Sequence, residues 1–78
     1  MTTIHVLGTG CKKCVSLKMN VETAIEELGI LADVHKVEDI NEIVKFGVMS
    51  TPALVIDGEV KIVGKVATPE EIKALLPR

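Results

Sequence analysis

Ile4-His5-Val6-Leu7-Gly8-Thr9-Gly10-Cys11-Lys12-Lys13-Cys14-Val15-Ser16-Leu17, residues 4–17, is the stretch on which the reading of this chain turns. Its first four residues form a short apolar run closed by Gly8-Thr9-Gly10, the pattern of a strand that ends in a tight loop. From Cys11 the period changes. Cys14, Leu17, Val21, Ala24, Ile25 and Leu28 recur at three- and four-residue steps, which is one face of a helix, and Gly29 supplies a left-handed stop. A Cys-x-x-Cys pair therefore stands where a strand hands over to a helix.

Downstream, Leu31 to Val37 alternates loosely and is rich in β-branched residues, so it reads as a second strand. Asp39 is an N-cap with Glu42 three residues on, opening a short second helix over Asp39–Phe46 with Ile43 and Val44 on one face. After Ser50-Thr51-Pro52, the runs Ala53–Ile56 and Val60–Val63 flank Asp57-Gly58, a strong hairpin signal. Thr68-Pro69-Glu70-Glu71 joins an N-cap, a proline at the first helical position and a capping glutamate, and Ile72, Leu75 and Leu76 form the stripe of a last helix. The order is β-α-β-α-β-β-α. A right-handed crossover makes the first two strands parallel, the hairpin adds antiparallel pairing, and helices must cover both faces of the resulting four-stranded mixed sheet. The fold class is α/β.

The 78 residues make a single domain, 1–78, near the lower size limit for a core without a staple. With Phe46 the one aromatic, that core must be built from Val, Ile, Leu, Ala and Met. The same scarcity disfavours a stacking module for single-stranded nucleic acid, and a net charge of −2 offers no basic footprint for phosphates. No run approaches the ~18 apolar residues of a membrane span, and the N-terminus lacks the basic region of a signal peptide. The expectation is a cytoplasmic monomer without nucleic-acid or membrane partners. Two cysteines in a reducing compartment are more often catalytic or metal-binding than structural.

The position of the pair has chemical consequences. A thiolate at a helix N-terminus is stabilised by free N–H groups and aligned peptide dipoles, and Lys12 and Lys13 add positive charge. Gly8 and Gly10 let the loop turn tightly and leave the thiol uncovered. Cys14 falls on the apolar face with Leu17 and Val21, whereas Cys11 lies at the helix mouth, so Cys11 is assigned attack on a disulfide and Cys14 resolution of the mixed disulfide. Lowering a thiol pKa from ~8.5 to ~7 raises the thiolate fraction at neutral pH ~16-fold. Weaker nucleophilicity takes back ~5-fold, leaving a gain of only ~3-fold. The larger benefits are a better leaving group and a second thiol held close by.

These residues resemble a family. Gly8-Thr9-Gly10-Cys11-Lys12-Lys13-Cys14 and Met49-Ser50-Thr51-Pro52-Ala53-Leu54-Val55-Ile56-Asp57-Gly58 are similar to the short archaeal and bacterial thioredoxin-like proteins termed redox-active disulfide protein 2, within the thioredoxin superfamily. The resemblance spans nearly the whole chain and implies a minimal thioredoxin/glutaredoxin-like fold. It implies a protein disulfide oxidoreductase whose only redox group is the Cys11–Cys14 disulfide, with no added cofactor. Its partners would be disulfide-containing proteins and an upstream disulfide reductase. It also implies a cis Thr51–Pro52 bond beside the disulfide and a Thr51 backbone that pairs with substrate. Gly10, Lys12 and Lys13 complete the expected substrate-binding surface. Three features depart from better-known relatives. Gly10 stands where thioredoxins carry tryptophan, Lys12-Lys13 stands where they carry Gly-Pro between the cysteines, and Val63-Gly64-Lys65-Val66 lacks the Gly-Gly-Asp-like turn with which glutaredoxins hold glutathione.

Other readings compete. Zinc would need four ligands, and beyond the cysteines only His5 and His35 are obvious, both within strands. A copper-chaperone-like module also places Cys-x-x-Cys between a strand and a helix. Its β-α-β-β-α-β order conflicts with the second helix here, and Thr9 replaces its methionine. A partner-binding scaffold without turnover is the third alternative. His5 and His35 read as ordinary strand histidines, Met19 and Met49 as packing residues, and Asp39, Glu42, Glu70 and Glu71 as helix caps.

Overall fold

The computed structural model of the chain describes residues 2–9 and 12–76. Its elements are β1 (Thr2–Leu7), α1 (Lys12–Leu28), β2 (Ala32–Val37), α2 (Ile40–Lys45), β3 (Ala53–Ile56), β4 (Glu59–Val63) and α3 (Pro69–Leu75). They occur in the expected order and form one sheet, β2-β1-β3-β4. β1 pairs in parallel with β2 and antiparallel with β3, and β3 pairs antiparallel with β4. This is the minimal thioredoxin-like arrangement.

Side-chain alternation along β1 divides the core in two. Ile4 and Val6 face α1 and α3, where they pack with Leu17, Val21, Leu54 and Ile72. Leu7 faces α2 and packs with Ile43, Val48, Ala53 and Val55. β3 is buried along its whole length because helices lie on both faces, which is why it reads as an unbroken apolar run. His5 shares the α2 face. Its ring stacks on His35 of β2 at 5.3 Å between centroids and touches Phe46 at 5.1 Å. Its buried Nδ1 has no hydrogen-bond partner among the described residues.

The boundaries follow local chemistry. Asp39 caps α2 by accepting from the Asn41 N–H at 2.8 Å, so Glu42 takes no part in that cap and instead pairs with Lys45. Asp57 and Gly58 turn the hairpin with φ of 50° and 83°. In addition, Asp57 receives the Thr3 N–H on its carboxylate and returns its own N–H to the Thr3 carbonyl, which fastens the turn to β1. Lys61 is an extra residue in the β3–β4 ladder: Leu54 faces Ile62, but Val55 faces Val60. This bulge sends Ile62 into the α1/α3 core and Val60 to the other face, an outcome that simple alternation does not foresee.

Two expectations need correction. Val44 is exposed rather than packed beside Ile43, because a six-residue helix can bury only one narrow stripe. Met19 and Met49 are exposed as well, so neither fills the core.

α3 begins with a complete capping box. The Glu71 N–H donates to the Thr68 hydroxyl, and the Thr68 N–H donates to the Glu71 carboxylate, each at 3.2 Å. Lys65 first, and the Thr68 N–H second, hold the Glu71 carboxyl below its usual range. That stabilisation is present at neutral pH and fades as the pH falls through the lowered value. Thr68→Ala is expected to cost about 1 kcal/mol of unfolding free energy by urea titration. No change at neutral pH would show that the cap is dispensable.

Candidate active site

The site is built at the C-terminal end of β1. The ladder continues past Leu7, since the Gly8 N–H donates to the Val37 carbonyl at 2.9 Å, and this holds Gly8 in line with the sheet. Cys14 lies on the buried face of α1 and is 1% exposed. Its side chain is packed directly against the Gly8 backbone. A Cβ placed on Gly8 would overlap the Cys14 Sγ and stand 2.8 Å from its Cβ. Gly8 is thus required by close approach of strand to sulfur, a more specific role than the loop turn expected of it.

Lys12 and Lys13 open α1 and are exposed. Thr51 is exposed and Pro52 is buried, and the bond between them is cis. The Pro52 carbonyl accepts the Gly64 N–H at 2.8 Å, tying this loop to the end of β4. Gly64 has a φ of +72°, and a Cβ there would lie 3.3 Å from the Ser50 Cβ. Gly10 and Cys11 lie outside the described residues.

Thr9 and Thr51 share a groove of about 490 Å³ that runs along α2. Ile40, Val44 and Met49 supply much of its wall, and all three are strongly exposed, Met49 completely. Lys12 and Lys13 do not line it, so charge and apolar surface occupy separate places around the loop. Thr51 was expected at a substrate surface, but the apolar wall of Ile40, Val44 and Met49 escaped the sequence reading. The available signal was Ile40 and Val44, an i, i+4 pair beside the buried Ile43 on a helix too short to bury all three.

Comparison with known proteins agrees with this fold. A family profile described as "Thioredoxin domain" matches residues 2–77. This chain belongs to the thioredoxin family. A protein named thioredoxin from Methanothermobacter thermautotrophicus is 43% identical over 76 residues, which is 97% of this chain and 99% of the relative. Another thioredoxin, from Methanocaldococcus jannaschii, is 45% identical over 73 residues, covering 94% of this chain and 84% of the relative. As a member of the thioredoxin family, the protein falls among thiol oxidoreductases. Among the described residues no helix is long and apolar enough to cross a membrane, and no three His, Cys, Asp or Glu side chains converge.

Proposed function

We propose that this thioredoxin-family protein reduces disulfides in partner proteins by dithiol–disulfide exchange in the cytoplasm, with Cys11 attacking and Cys14 resolving. The observation that carries the assignment of roles is the burial of Cys14 against Gly8, beside a loop that opens onto an apolar groove. The Cys11 thiolate attacks one sulfur of the partner disulfide, and the other sulfur leaves as a thiolate. Cys14, losing its proton, then attacks Cys11 and releases the second partner thiolate. The partner gains two electrons, and the Cys11–Cys14 disulfide must be reduced again by an upstream disulfide reductase.

The surroundings have separate duties in this reading. Gly10, Thr51 and Pro52 are assigned contact with the substrate, with the Thr51 backbone pairing with its extended segment. Ile40, Val44 and Met49 receive the apolar side chains of that segment, while Lys12 and Lys13 favour the thiolate and acidic neighbours. The closest rival is a soft-metal module using the same sulfurs.

The test is a Cys14→Ser variant mixed with an oxidised protein substrate. A stable one-to-one adduct through Cys11, resolved by added dithiothreitol, is the expected result. No adduct with any disulfide substrate would sink the proposal. So would one equivalent of zinc or copper retained by protein purified under reducing conditions.

A further inference from the structure

β2 forms one edge of the sheet, and no described element pairs with its outer side. The direction of its peptide groups is fixed. The Val37 carbonyl accepts the Gly8 N–H, so Val37, His35 and Asp33 turn their N–H and C=O groups toward β1. Ala32, Val34 and Lys36 therefore turn theirs outward. Side chains alternate in the same way: Asp33, His35 and Val37 share the α2 face, as the stacking of His35 on His5 shows. Leu31, of like parity and just before the strand, is 83% exposed.

We propose that this edge pairs with the same edge of a second copy of the chain, antiparallel, about a two-fold axis through Val34. An axis normal to the sheet preserves its faces, so only residues of like parity can stand opposite one another. Val34 then faces Val34 of the second copy, with Ala32 facing Lys36 on either side. Each of these is a hydrogen-bonded pair, so all the outward N–H and C=O groups of the strand acquire partners. On the α2 face, the exposed Leu31 meets Val37 of the second copy, and Asp33 meets His35 of the second copy. Both contacts are repeated by symmetry. A carboxylate accepts from an imidazole N–H whether the ring is charged or neutral.

Neighbouring registers lose this match. An axis through Asp33 sets two carboxylates against each other, and one through His35 leaves Asp33 opposite Val37. An axis through Lys36 opposes two ammonium groups. Like charges directly opposite destabilise a strand pair, whereas opposite charges and apolar pairs support it. The row Leu31, Asp33, His35, Val37 is complementary to its own reverse only about Val34. The two-fold also places the C-terminal ends of the two β1 strands, where Gly8 meets Cys14, at opposite ends of the joined sheet, so pairing does not cover either site. An interface of one strand per copy is small, so association is weak and concentration-dependent.

The test uses the full chain with its cysteines reduced, which excludes intermolecular disulfides. Sedimentation should show the average mass rising from one chain toward two between about 10 µM and about 1 mM. Over that range, amide exchange should slow at Ala32, Val34 and Lys36 and stay constant at Asp33, His35 and Val37. Lys36→Pro removes an outward donor without touching the β1 ladder, and Asp33→Lys sets an ammonium against His35. Each should remain a folded monomer at the highest concentration with unchanged disulfide-exchange activity. A single-chain mass for the unaltered protein at about 1 mM overturns the proposal. A dimer that survives both substitutions, or protects amides elsewhere, overturns it equally.

Discussion

Cys11→Ser is expected to lower the rate of protein-disulfide reduction about 10³-fold or more, to the level of the added reductant alone. A serine hydroxyl ionises far above neutral pH and cannot attack sulfur under these conditions. Cys14 survives in this variant, yet it cannot substitute, because its sulfur is buried on α1 and lies against the Gly8 backbone. A partner disulfide would have to displace the end of β1 to reach it. The same geometry predicts a difference in alkylation. In the reduced wild-type protein, iodoacetamide should modify Cys11 first, and the remaining thiol of Cys11→Ser should react about 100-fold more slowly than that first event. Comparable alkylation rates, or residual turnover within tenfold of wild type, would show that burial does not separate the two roles.

The comparison of sequence with structure has a physical pattern. Elements that bury one clear stripe were legible. Cys14, Leu17, Val21 and Ala24 recur at helical spacing and are the residues that α1 buries. The Asp57-Gly58 turn and the Thr68 capping box are set by chemistry within four residues, so local sequence sufficed. The groove was not legible, because its walls are apolar residues that the fold leaves uncovered. Val44 and Met49 look like core until the length of α2 and the position of its loop are known. The bulge at Lys61 is likewise a property of the β3–β4 pairing and not of either strand alone. Gly8 lay between. Its place in a Gly-Thr-Gly loop marked it as a turn residue, but its tight contact with Cys14 depends on how α1 docks on β1. Local signals thus placed Cys14 on the buried face of α1, and tertiary docking determined what surrounds it.

Gly8→Ala should therefore damage the site through packing alone. The new methyl group would occupy the volume of the Cys14 Sγ and crowd its Cβ at 2.8 Å. Neither neighbour can yield easily. Gly8 is held by its N–H bond to Val37, and Cys14 belongs to a regular helix anchored by Leu17 and Val21. Overpacking of this kind costs about 1–3 kcal/mol, enough to be a large fraction of the stability of a small domain. Relief by moving the first turn of α1 would carry Cys14 with it, and a shift near 1 Å can cost about 10²-fold in rate. Crowding and simple loss of glycine flexibility make different predictions in a double-mutant cycle. If crowding is the cause, Cys14→Ala should absorb about 1–2 kcal/mol of the Gly8→Ala penalty, since the overlapping sulfur is gone. A penalty that is the same in both backgrounds would assign Gly8 to backbone freedom instead, and the close approach of strand to sulfur would have no energetic role.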